Sequence, residues 1–320
     1  MKFTAIACEN IDLIKSWGYK NEDLLLPINS TISANLSSLL TVVTVEFSDN
    51  FTHDQVYVDG QVHPAKEHDF LTQLERIRTL AGIKQRAMVA GQKNYRTNSL
   101  SLSDSFVAAL SLAGSKAAGL ELDEKGLGIL AKQGKNSSCR SIPEGFNQWK
   151  DGNSIETSYC QTIFNKQHWD LGVVSVIVND QNQEYKPEIG IEASKYYPTR
   201  LVDLPKKIKI LTKAIKERNF DDFGAIIEQE AMDLVAIKLT SYPTFIDLEP
   251  DFINLIRFFS TKQNFSFKTF FSFTSDGLFH IFCPKENTLE IQNKISNLGY
   301  NNIFIGGIGD KTTKFEKDLF

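Results

Sequence analysis

One run of residues limits what this chain can fold into. Residues 169–178 have the sequence WDLGVVSVIV, which is almost entirely apolar and rich in β-branched side chains. A run of that composition, without alternating polar positions, is typical of a strand that is buried on both faces. We therefore predict a strand here that lies in the middle of a sheet.

Helical periodicity recurs along the rest of the chain. Within residues 67–81, and again within 105–118, apolar side chains repeat at intervals of three and four residues. Asp123 is expected to cap a shorter helix that runs through Leu130 and that Gly134 would end. Further helices are predicted over residues 200–218, 221–237 and 251–259.

Strand-like runs beside turn residues predict two hairpins. The runs 40–47 and 55–58, the second of which leads into Asp59-Gly60, predict a hairpin over residues 37–62. The runs 267–273 and 278–283 flank Asp276-Gly277, which is a strong hairpin signal.

Length and composition favour two lobes. The chain has 320 residues, of which 42% are hydrophobic and 23% are charged, which is ordinary globular composition. We predict a mixed α/β (α+β) fold with an N-terminal α/β lobe over residues 1–185 and a helix-rich C-terminal α/β lobe over residues 186–320.

Charge and cysteine spacing argue against several classes of function. The net charge is −4, and no long Lys/Arg run is present, so no nucleic-acid partner is expected. No stretch approaches roughly eighteen uninterrupted apolar residues, so we expect no membrane partner and a cytoplasmic location. The four cysteines lack CxxC spacing and the five histidines are scattered, so neither a disulfide framework nor a metal site is expected.

Two segments carry specific motifs. The first is NIDLIKSWGYKNEDLLLPINS at residues 10–30, and the second is GKNSSCRSIPEGFNQW at residues 134–149. They resemble NIAxIKYWGK…ELxLPINSS and GSGSACRSLxGGFVxW, two signatures of the diphosphomevalonate decarboxylase family. That family belongs to the galactokinase, homoserine kinase and mevalonate kinase superfamily. The resemblance therefore implies the kinase-superfamily fold, with two α/β lobes and the active site in the cleft between them.

The resemblance also implies a chemistry and the residues that perform it. In the family, ATP phosphorylates the tertiary 3-hydroxyl of 5-diphosphomevalonate, and phosphate and carbon dioxide then leave together. Arg140 and Lys15 would be catalytic, because their cations can bind the substrate carboxylate or the departing phosphate. Hydrogen bonds to the substrate are expected from Asn10 and Ser137. Further substrate-binding candidates stand where this chain departs from the family motifs: Ser16, Tyr19, Lys135 and Lys186.

The parts of the family motif that handle the nucleotide are altered. The family's PTAAGLASSA loop falls at residues 95–104, and no glycine occurs within residues 92–112. Glycine normally allows backbone amides to approach phosphates, so Ser101 with Asp104 is expected to cap the next helix instead. The Asp of the family's DAGPN hairpin falls at Thr274, and Asp276 is expected to be a turn residue.

These departures predict an enzyme that needs no cofactor. The expected reaction is loss of phosphate and carbon dioxide from mevalonate 3,5-bisphosphate to give isopentenyl phosphate, as in the ATP-independent archaeal decarboxylase that the chain resembles most. The alternatives are an ATP-dependent diphosphomevalonate decarboxylase that uses ATP and Mg and gives isopentenyl diphosphate, a mevalonate 3-kinase, and an inactive binding protein. The expected partner is a phosphorylated small molecule, and the resemblance implies a homodimer.

Overall fold

The structure is a computed structural model that describes residues 1–62, 68–96, 103–178, 190–246, 248–261, 264–274 and 277–320. Its strands are β1 (Lys2–Ile14), β2 (Tyr19–Asn21), β3 (Leu26–Pro27), β4 (Thr31–Ser48), β5 (Gln55–Val58), β6 (Gln61–Val62), β7 (Arg86–Lys93), β8 (Phe146–Trp149), β9 (Cys160–Phe164), β10 (Leu171–Ile177), β11 (Phe270–Phe273), β12 (Leu278–Pro284), β13 (Ile303–Gly306) and β14 (Thr313–Lys314). Its helices are α1 (His68–Ala81), α2 (Asp104–Ala117), α3 (Glu124–Gly134), α4 (Tyr197–Glu217), α5 (Phe220–Thr240), α6 (Pro250–Ser260) and α7 (Thr288–Asn297).

The first sheet is organised around β4. Among the described residues it has eight strands, in the order β14-β1-β4-β7-β5-β6, and β8 joins it by pairing with β4 and β9. The first part of β4 pairs with β8 and its second part pairs with β7, so one strand of 18 residues spans both halves of the sheet. Because β14 pairs with β1, the last strand of the chain also belongs to this sheet.

The predicted hairpin over residues 37–62 is wrong in its pairing. Strand β7 lies between β4 and β5, and β5 pairs with β7 in parallel. The turn at Asp59 and Gly60 joins β5 to the short strand β6 instead, and both residues have positive φ values of 50° and 78°. Such a turn suits a tight hairpin. The turn was therefore visible in the sequence, whereas the insertion of β7 depends on a pairing between distant segments.

The second sheet confirms the strand predicted from the apolar run. It is antiparallel, with the order β11-β12-β10-β13, and all seven residues of β10 are buried. The predicted hairpin of β11 and β12 is also present, with Phe273 opposite Phe279. Together with the helices packed on both sheets, this architecture confirms the mixed α/β fold.

One apolar core joins the two sheets. It contains Ile11 and Ile14 of β1, Val173 of β10, Phe282 of β12 and Phe223 of α5. The end of β1 is therefore enclosed by elements from the second half of the chain. The polar residues that alternate with these apolar ones in β1 point to the other face of the strand, where they contact the second motif.

The predicted N-cap residue is confirmed for α3, whereas α2 has a different one from that expected. Asp123 caps α3 by accepting a hydrogen bond from the backbone N–H of Gly126, as predicted. The cap of α2 is Ser103, which accepts from the N–H of Phe106 at 3.3 Å. The expected cap, Ser101, lies outside the described residues, as does the proposed lobe boundary at 185 and 186, which stays a prediction.

Gly145, at the start of β8, provides a test of the packing beneath the second motif. Its φ is +73°, and an added Cβ would lie 2.3 Å from the backbone oxygen of Phe164. Because neither the φ value nor the neighbouring backbone can adjust cheaply, Gly145→Ala should lower the free energy of unfolding by about 2–5 kcal/mol in urea titration. The control is Gly128→Ala in α3, where nothing lies within 4 Å of the new Cβ. Equal stability of the two variants would contradict this account.

Candidate active site

The second motif folds into a short 3₁₀ helix, Asn136–Ser141, that directly follows α3. It buries Arg140, which is 7% exposed. The side-chain amides of Asn10 and Asn147 donate to the carbonyl oxygen of Arg140 at 3.3 and 3.0 Å. Strands β1 and β8 therefore fix the main chain of Arg140. Asn10, predicted to bind substrate, supports the backbone of the site in this structure.

The guanidinium of Arg140 lies between two carboxylates from different elements. Nη1 donates to Oδ1 of Asp12 on β1, and Nη2 donates to Oδ2 of Asp104 at the start of α2, at 3.0 Å. Burial alone would lower the pKa of Arg140, but Asp12 and Asp104 raise it above its usual range. Arg140 therefore keeps its charge at any physiological pH.

The Asp104 carboxylate is fully engaged. Oδ1 accepts from Ser137 Oγ at 2.5 Å and lies 3.0 Å from Nζ of Lys135, while Oδ2 accepts from Arg140. Burial would raise the pKa of Asp104, but Lys135 and Arg140 outweigh that effect and lower it to about 2. Asp104 thus joins three of the predicted site residues and stays ionised.

Asp12 is in a different electrostatic situation although it shares the same arginine. Burial raises its pKa, and the positive charges of Arg140 and Lys15 do not fully offset that effect. Its side chain is 16% exposed, against 8% for Asp104. Among the described residues, Asp12 Oδ2 has no hydrogen-bond partner. This carboxylate therefore has one oxygen on Arg140 and one available.

Lys15 lies just beyond the end of β1, beside Asp12. Its Nζ donates to the backbone oxygen of Asp12 at 3.1 Å. Burial lowers the pKa of Lys15 to about 8, and the nearby carboxylates of Asp12 and Glu230 offset this only in part. An added anion close to Nζ would favour the charged amine, so the site is suited to a negatively charged ligand.

The main chain of Lys15 is held by buried charges from the second half of the protein. Glu230 of α5 accepts from the N–H of Lys15 at 3.2 Å, and Arg200 of α4 donates to its carbonyl oxygen at 2.7 Å. Arg200 and Lys207 also contact the two oxygens of Glu230, at 2.5 and 3.1 Å. Burial would raise the pKa of Glu230, but Arg200 and Lys207 lower it.

The second sheet also reaches the site. His280 of β12 is completely buried, and burial together with the positive charge of Lys15 lowers its pKa to about 3, so the ring is neutral. Its Nδ1 lies 2.9 Å from the hydroxyl of Ser175 on β10. The charge of Lys15 therefore acts on a buried ring of the second sheet.

The remaining predicted residues are dispersed. The hydroxyl of Ser16 is buried without a hydrogen-bond partner in the described part of the chain, and Tyr19 begins β2 with its side chain half-buried. Thr274 Oγ1 contacts the N–H and carbonyl of Leu278 at 3.3 and 3.4 Å, so it closes the hairpin. Lys186 and Asp276 lie outside the described residues.

The site residues that sequence reasoning missed are Asp12, Asp104 as an ion-pair partner, and the pair Arg200 and Glu230. The sequence could have pointed to Asp12, because this charged residue lies between apolar neighbours in the first motif, where the family motif has alanine. No local pattern marks Arg200 or Glu230, whose contact with Lys15 joins residues far apart in the chain.

Comparison with known proteins places this geometry in a family. The model of the diphosphomevalonate decarboxylase-like N-terminal domain matches residues 7–160, and the model of the mevalonate 5-diphosphate decarboxylase C-terminal domain matches residues 173–298. The chain belongs to the diphosphomevalonate decarboxylase family. Both motif segments and the buried charges of α4 and α5 lie within the matched residues, which supports the resemblance first seen in the motifs.

Individual relatives agree with this assignment. Diphosphomevalonate decarboxylase from Bos taurus is 28% identical over 268 residues, which cover 75% of this chain and 66% of the bovine protein, just under two thirds of its length. The solved structure of mevalonate diphosphate decarboxylase from Staphylococcus aureus is 27% identical, with a TM-score of 0.90 and 98% of each chain covered. A structure of MDDEF in complex with MVAPP, AMPPCP and magnesium is 28% identical, with a TM-score of 0.89 and 99% of each chain covered.

The expectation that the protein needs no cofactor is wrong in the light of the last comparison. A family member that matches almost all of this chain is seen with AMPPCP and magnesium. The sequence argument relied on missing glycines in residues 95–104, most of which lie outside the described residues. The comparison does not distinguish the bisphosphate-specific subtype that the altered motifs suggested.

None of the helices described is both long and apolar enough to cross a membrane. No three His, Cys, Asp or Glu side chains converge on a position for a metal ion within the described ranges.

The buried ion pairs of Glu230, which bonds the main chain of Lys15, predict an effect on the free energy of unfolding. Glu230→Gln keeps the side-chain volume but leaves Arg200 and Lys207 without their buried counter-charge, so the free energy of unfolding should fall by about 3–5 kcal/mol. The control is Asp233→Asn, because Asp233 also pairs with Lys207 but its side chain is 36% exposed; we expect a loss of about 0–1 kcal/mol. Chemical denaturation measures both, and similar losses would contradict a structural role specific to Glu230.

Proposed function

We propose that this protein is an ATP-dependent decarboxylase of 5-diphosphomevalonate that gives isopentenyl diphosphate, carbon dioxide, ADP and phosphate. The observation that carries the proposal is the convergence of Arg140 and Lys15 on Asp12, in a chain of this family. Two cations, one of them with a lowered pKa, both contact Asp12. That arrangement suits a substrate with a carboxylate and phosphate groups.

The residues at the site are compatible with a nucleotide. Lys135, whose side chain is 35% exposed, and the N-terminal end of the 14-residue helix α2 both favour negative charge, although Asp104 opposes it. Lys135 and Ser137 would hold nucleotide phosphates. Magnesium, when bound, would be held by the nucleotide phosphates together with one or two carboxylates. The bound nucleotide would supply the phosphoryl group.

Two hydroxyl groups share one buried acceptor, Glu9 of β1. Tyr95 and Ser105, which flank residues 97–102, both donate to Oε2 of the buried Glu9, the serine at 2.7 Å. Burial and the charge of Glu9 raise the pKa of Tyr95 well above its usual value, so the tyrosine keeps its proton. Glu9 therefore holds Tyr95 and the first turn of α2 against β1.

Arg140 and Lys15 would act on the charge that develops during elimination. Breaking the C3–O bond leaves positive charge on C3 and collects negative charge on the departing phosphate. Cations that are already fixed before the reaction stabilise such charge without reorganising, which is usually the largest contribution to catalysis. The paired carboxylates fix the guanidinium of Arg140, and Glu230 with Arg200 fixes the main chain of Lys15.

The contribution of each further candidate follows from its position. Ser16 and Tyr19 follow Lys15 in the first motif and would line the same end of the substrate, and Lys186 stays a prediction. Thr274 supplies no carboxylate and is bonded within its hairpin. The homodimer and the cytoplasmic location implied by the resemblance also stay predictions.

The proposed function is tested by direct turnover. Purified protein with 5-diphosphomevalonate, ATP and magnesium should release carbon dioxide, phosphate and ADP in equal amounts, and omission of ATP should abolish all three. Mevalonate 3,5-bisphosphate without nucleotide is the comparison substrate. Release of carbon dioxide from that substrate alone, with none from 5-diphosphomevalonate and ATP, would contradict the proposal.

The lowered pKa of Lys15 predicts a pH dependence. As the pH rises through about 8, Lys15 in the free enzyme loses its charge, so kcat/KM should fall. In the unfolded chain Lys15 titrates near 10.5, so between these values the unfolded chain binds more protons and the contribution of Lys15 to stability rises with pH. The loss of activity would therefore not reflect unfolding at this residue.

Variants separate Lys15 from other groups that titrate in this range. In Lys15→Arg the fall should disappear, because arginine keeps its charge to above about pH 12. Lys135→Met should retain the fall with its midpoint unchanged. A pH profile that is the same in wild type and Lys15→Arg would exclude Lys15 as the titrating group.

A further inference from the structure

The proposed function includes the transfer of a proton from the substrate, and a carboxylate beside the substrate can accept it. When the tertiary hydroxyl of the substrate is phosphorylated, its O–H bond breaks and the proton must pass to a nearby base. The base has to lie beside the groups that hold the substrate, which are Arg140 and Lys15. The carboxylates that these two residues contact in the described structure are Asp12, Asp104 and Glu230.

Two of these carboxylates are unsuitable because their oxygens are already engaged. Glu230 is fully buried, with Oε1 bonded to Arg200 and the N–H of Lys15 and Oε2 bonded to Lys207. Both oxygens of Asp104 are bonded to Ser137, Lys135 or Arg140, and its pKa of about 2 makes it a weak base.

Asp12 differs in each of these respects. Its Oδ1 accepts from Arg140, its Oδ2 has no partner among the described residues, and part of its side chain is exposed. Burial raises its pKa, which makes it a better proton acceptor than an ordinary aspartate. The charged groups that face it are Arg140 from the 3₁₀ helix, Lys15 beyond β1 and Asp104 from α2.

The position of Asp12 between the two cations completes the argument. Arg140 Nη1 contacts its carboxylate, and Lys15 Nζ contacts its backbone oxygen at 3.1 Å. A substrate held by both cations would therefore lie close to the Asp12 carboxylate. The hydroxyl at Thr274 cannot take this role, because it is bonded across the hairpin and a threonine hydroxyl is a very weak base at neutral pH.

We propose that Asp12 is the catalytic base that accepts the proton of the substrate's tertiary hydroxyl; this inference rests on the proposed function. In that step the hydroxyl oxygen forms a bond to the terminal phosphorus of a nucleoside triphosphate, and the nucleoside diphosphate leaves. The O–H electron pair stays on oxygen, and the proton moves to Oδ2 of Asp12. No oxidant or reductant is involved, and the proton later returns to solvent through the exposed edge of Asp12.

Protonation of Asp12 has a second consequence for the same reaction. The ion pair between Arg140 and Asp12 becomes a contact between a cation and a neutral group. The charge of Arg140 is then less compensated, and it acts more strongly on the new phosphate, which is the leaving group of the next step. One proton transfer would thus prepare both the nucleophile and the cation that assists elimination.

The experiment compares two carboxylates on the same arginine. Asp12→Asn should lower kcat by about a hundredfold or more, the usual contribution of a general base, while KM changes little. The residual activity should lack the fall that wild type shows as pH decreases through the raised pKa of Asp12. Asp104→Asn is the matched control, because it also removes one negative charge beside Arg140. In this variant kcat should still fall as the pH decreases, as it does in wild type. Substrate binding measured calorimetrically, without turnover, should survive in Asp12→Asn.

The outcomes separate the two proposals. Suppose that wild type converts the substrate, and that Asp12→Asn keeps both the wild-type kcat and its decrease at low pH. Asp12 is then not the base, although the proposed function stands. A raised KM with unchanged kcat would reduce Asp12 to a positioning residue for Arg140 and would equally overturn the inference. If wild type itself shows no turnover, the proposed function fails, and this inference with it.

A measurement on wild type covers the case in which Asp12→Asn does not fold. Rapid quenching should show that the first turnover of ADP formation slows as the pH falls, following a single ionisation. ADP formation that does not depend on pH in this range would overturn the assignment of Asp12 without any variant.

Discussion

The buried guanidinium of Arg140, shared by two carboxylates, is the interaction on which the site depends. A charge removed from water costs several kcal/mol unless counter-charges and hydrogen bonds replace the solvent. Asp12 from β1 and Asp104 from α2 supply the counter-charges, and Asn10 and Asn147 fix the main chain. Strand, helix and 3₁₀ helix are thereby held in one arrangement, and the cation is in place before any ligand arrives.

A second set of buried charges ties this arrangement to the other half of the protein. Glu230 and Arg200 bond the main chain of Lys15, so α4 and α5 determine where the first motif lies. The apolar core that contains residues of both sheets makes this possible, because it encloses the end of β1. The position of the first motif therefore depends on contacts with the second half of the chain.

The cluster is less positive than the motifs alone suggested. Lys15, Lys135 and Arg140 are brought together, but Asp12 and Asp104 offset two of their charges. The two carboxylates are not equivalent, because burial raises the pKa of one while its partners lower that of the other. When two neighbouring carboxyl groups differ in pKa in this way, the one with the higher pKa commonly transfers protons and the other remains ionised.

The sequence by itself determined the local elements and the identity of the main cations. The apolar run predicted β10, capping residues predicted α3, helical periodicity predicted the other helices from α1 to α6, and two motifs pointed to Arg140 and Lys15. These signals are local, because periodicity and turn residues act over a few positions. Only the tertiary structure decided that β7 lies between β4 and β5, that Asp12 pairs with Arg140, and that Glu230 bonds Lys15. Each of these contacts joins residues far apart in the chain, and its energy depends on burial and distance, which no local pattern records.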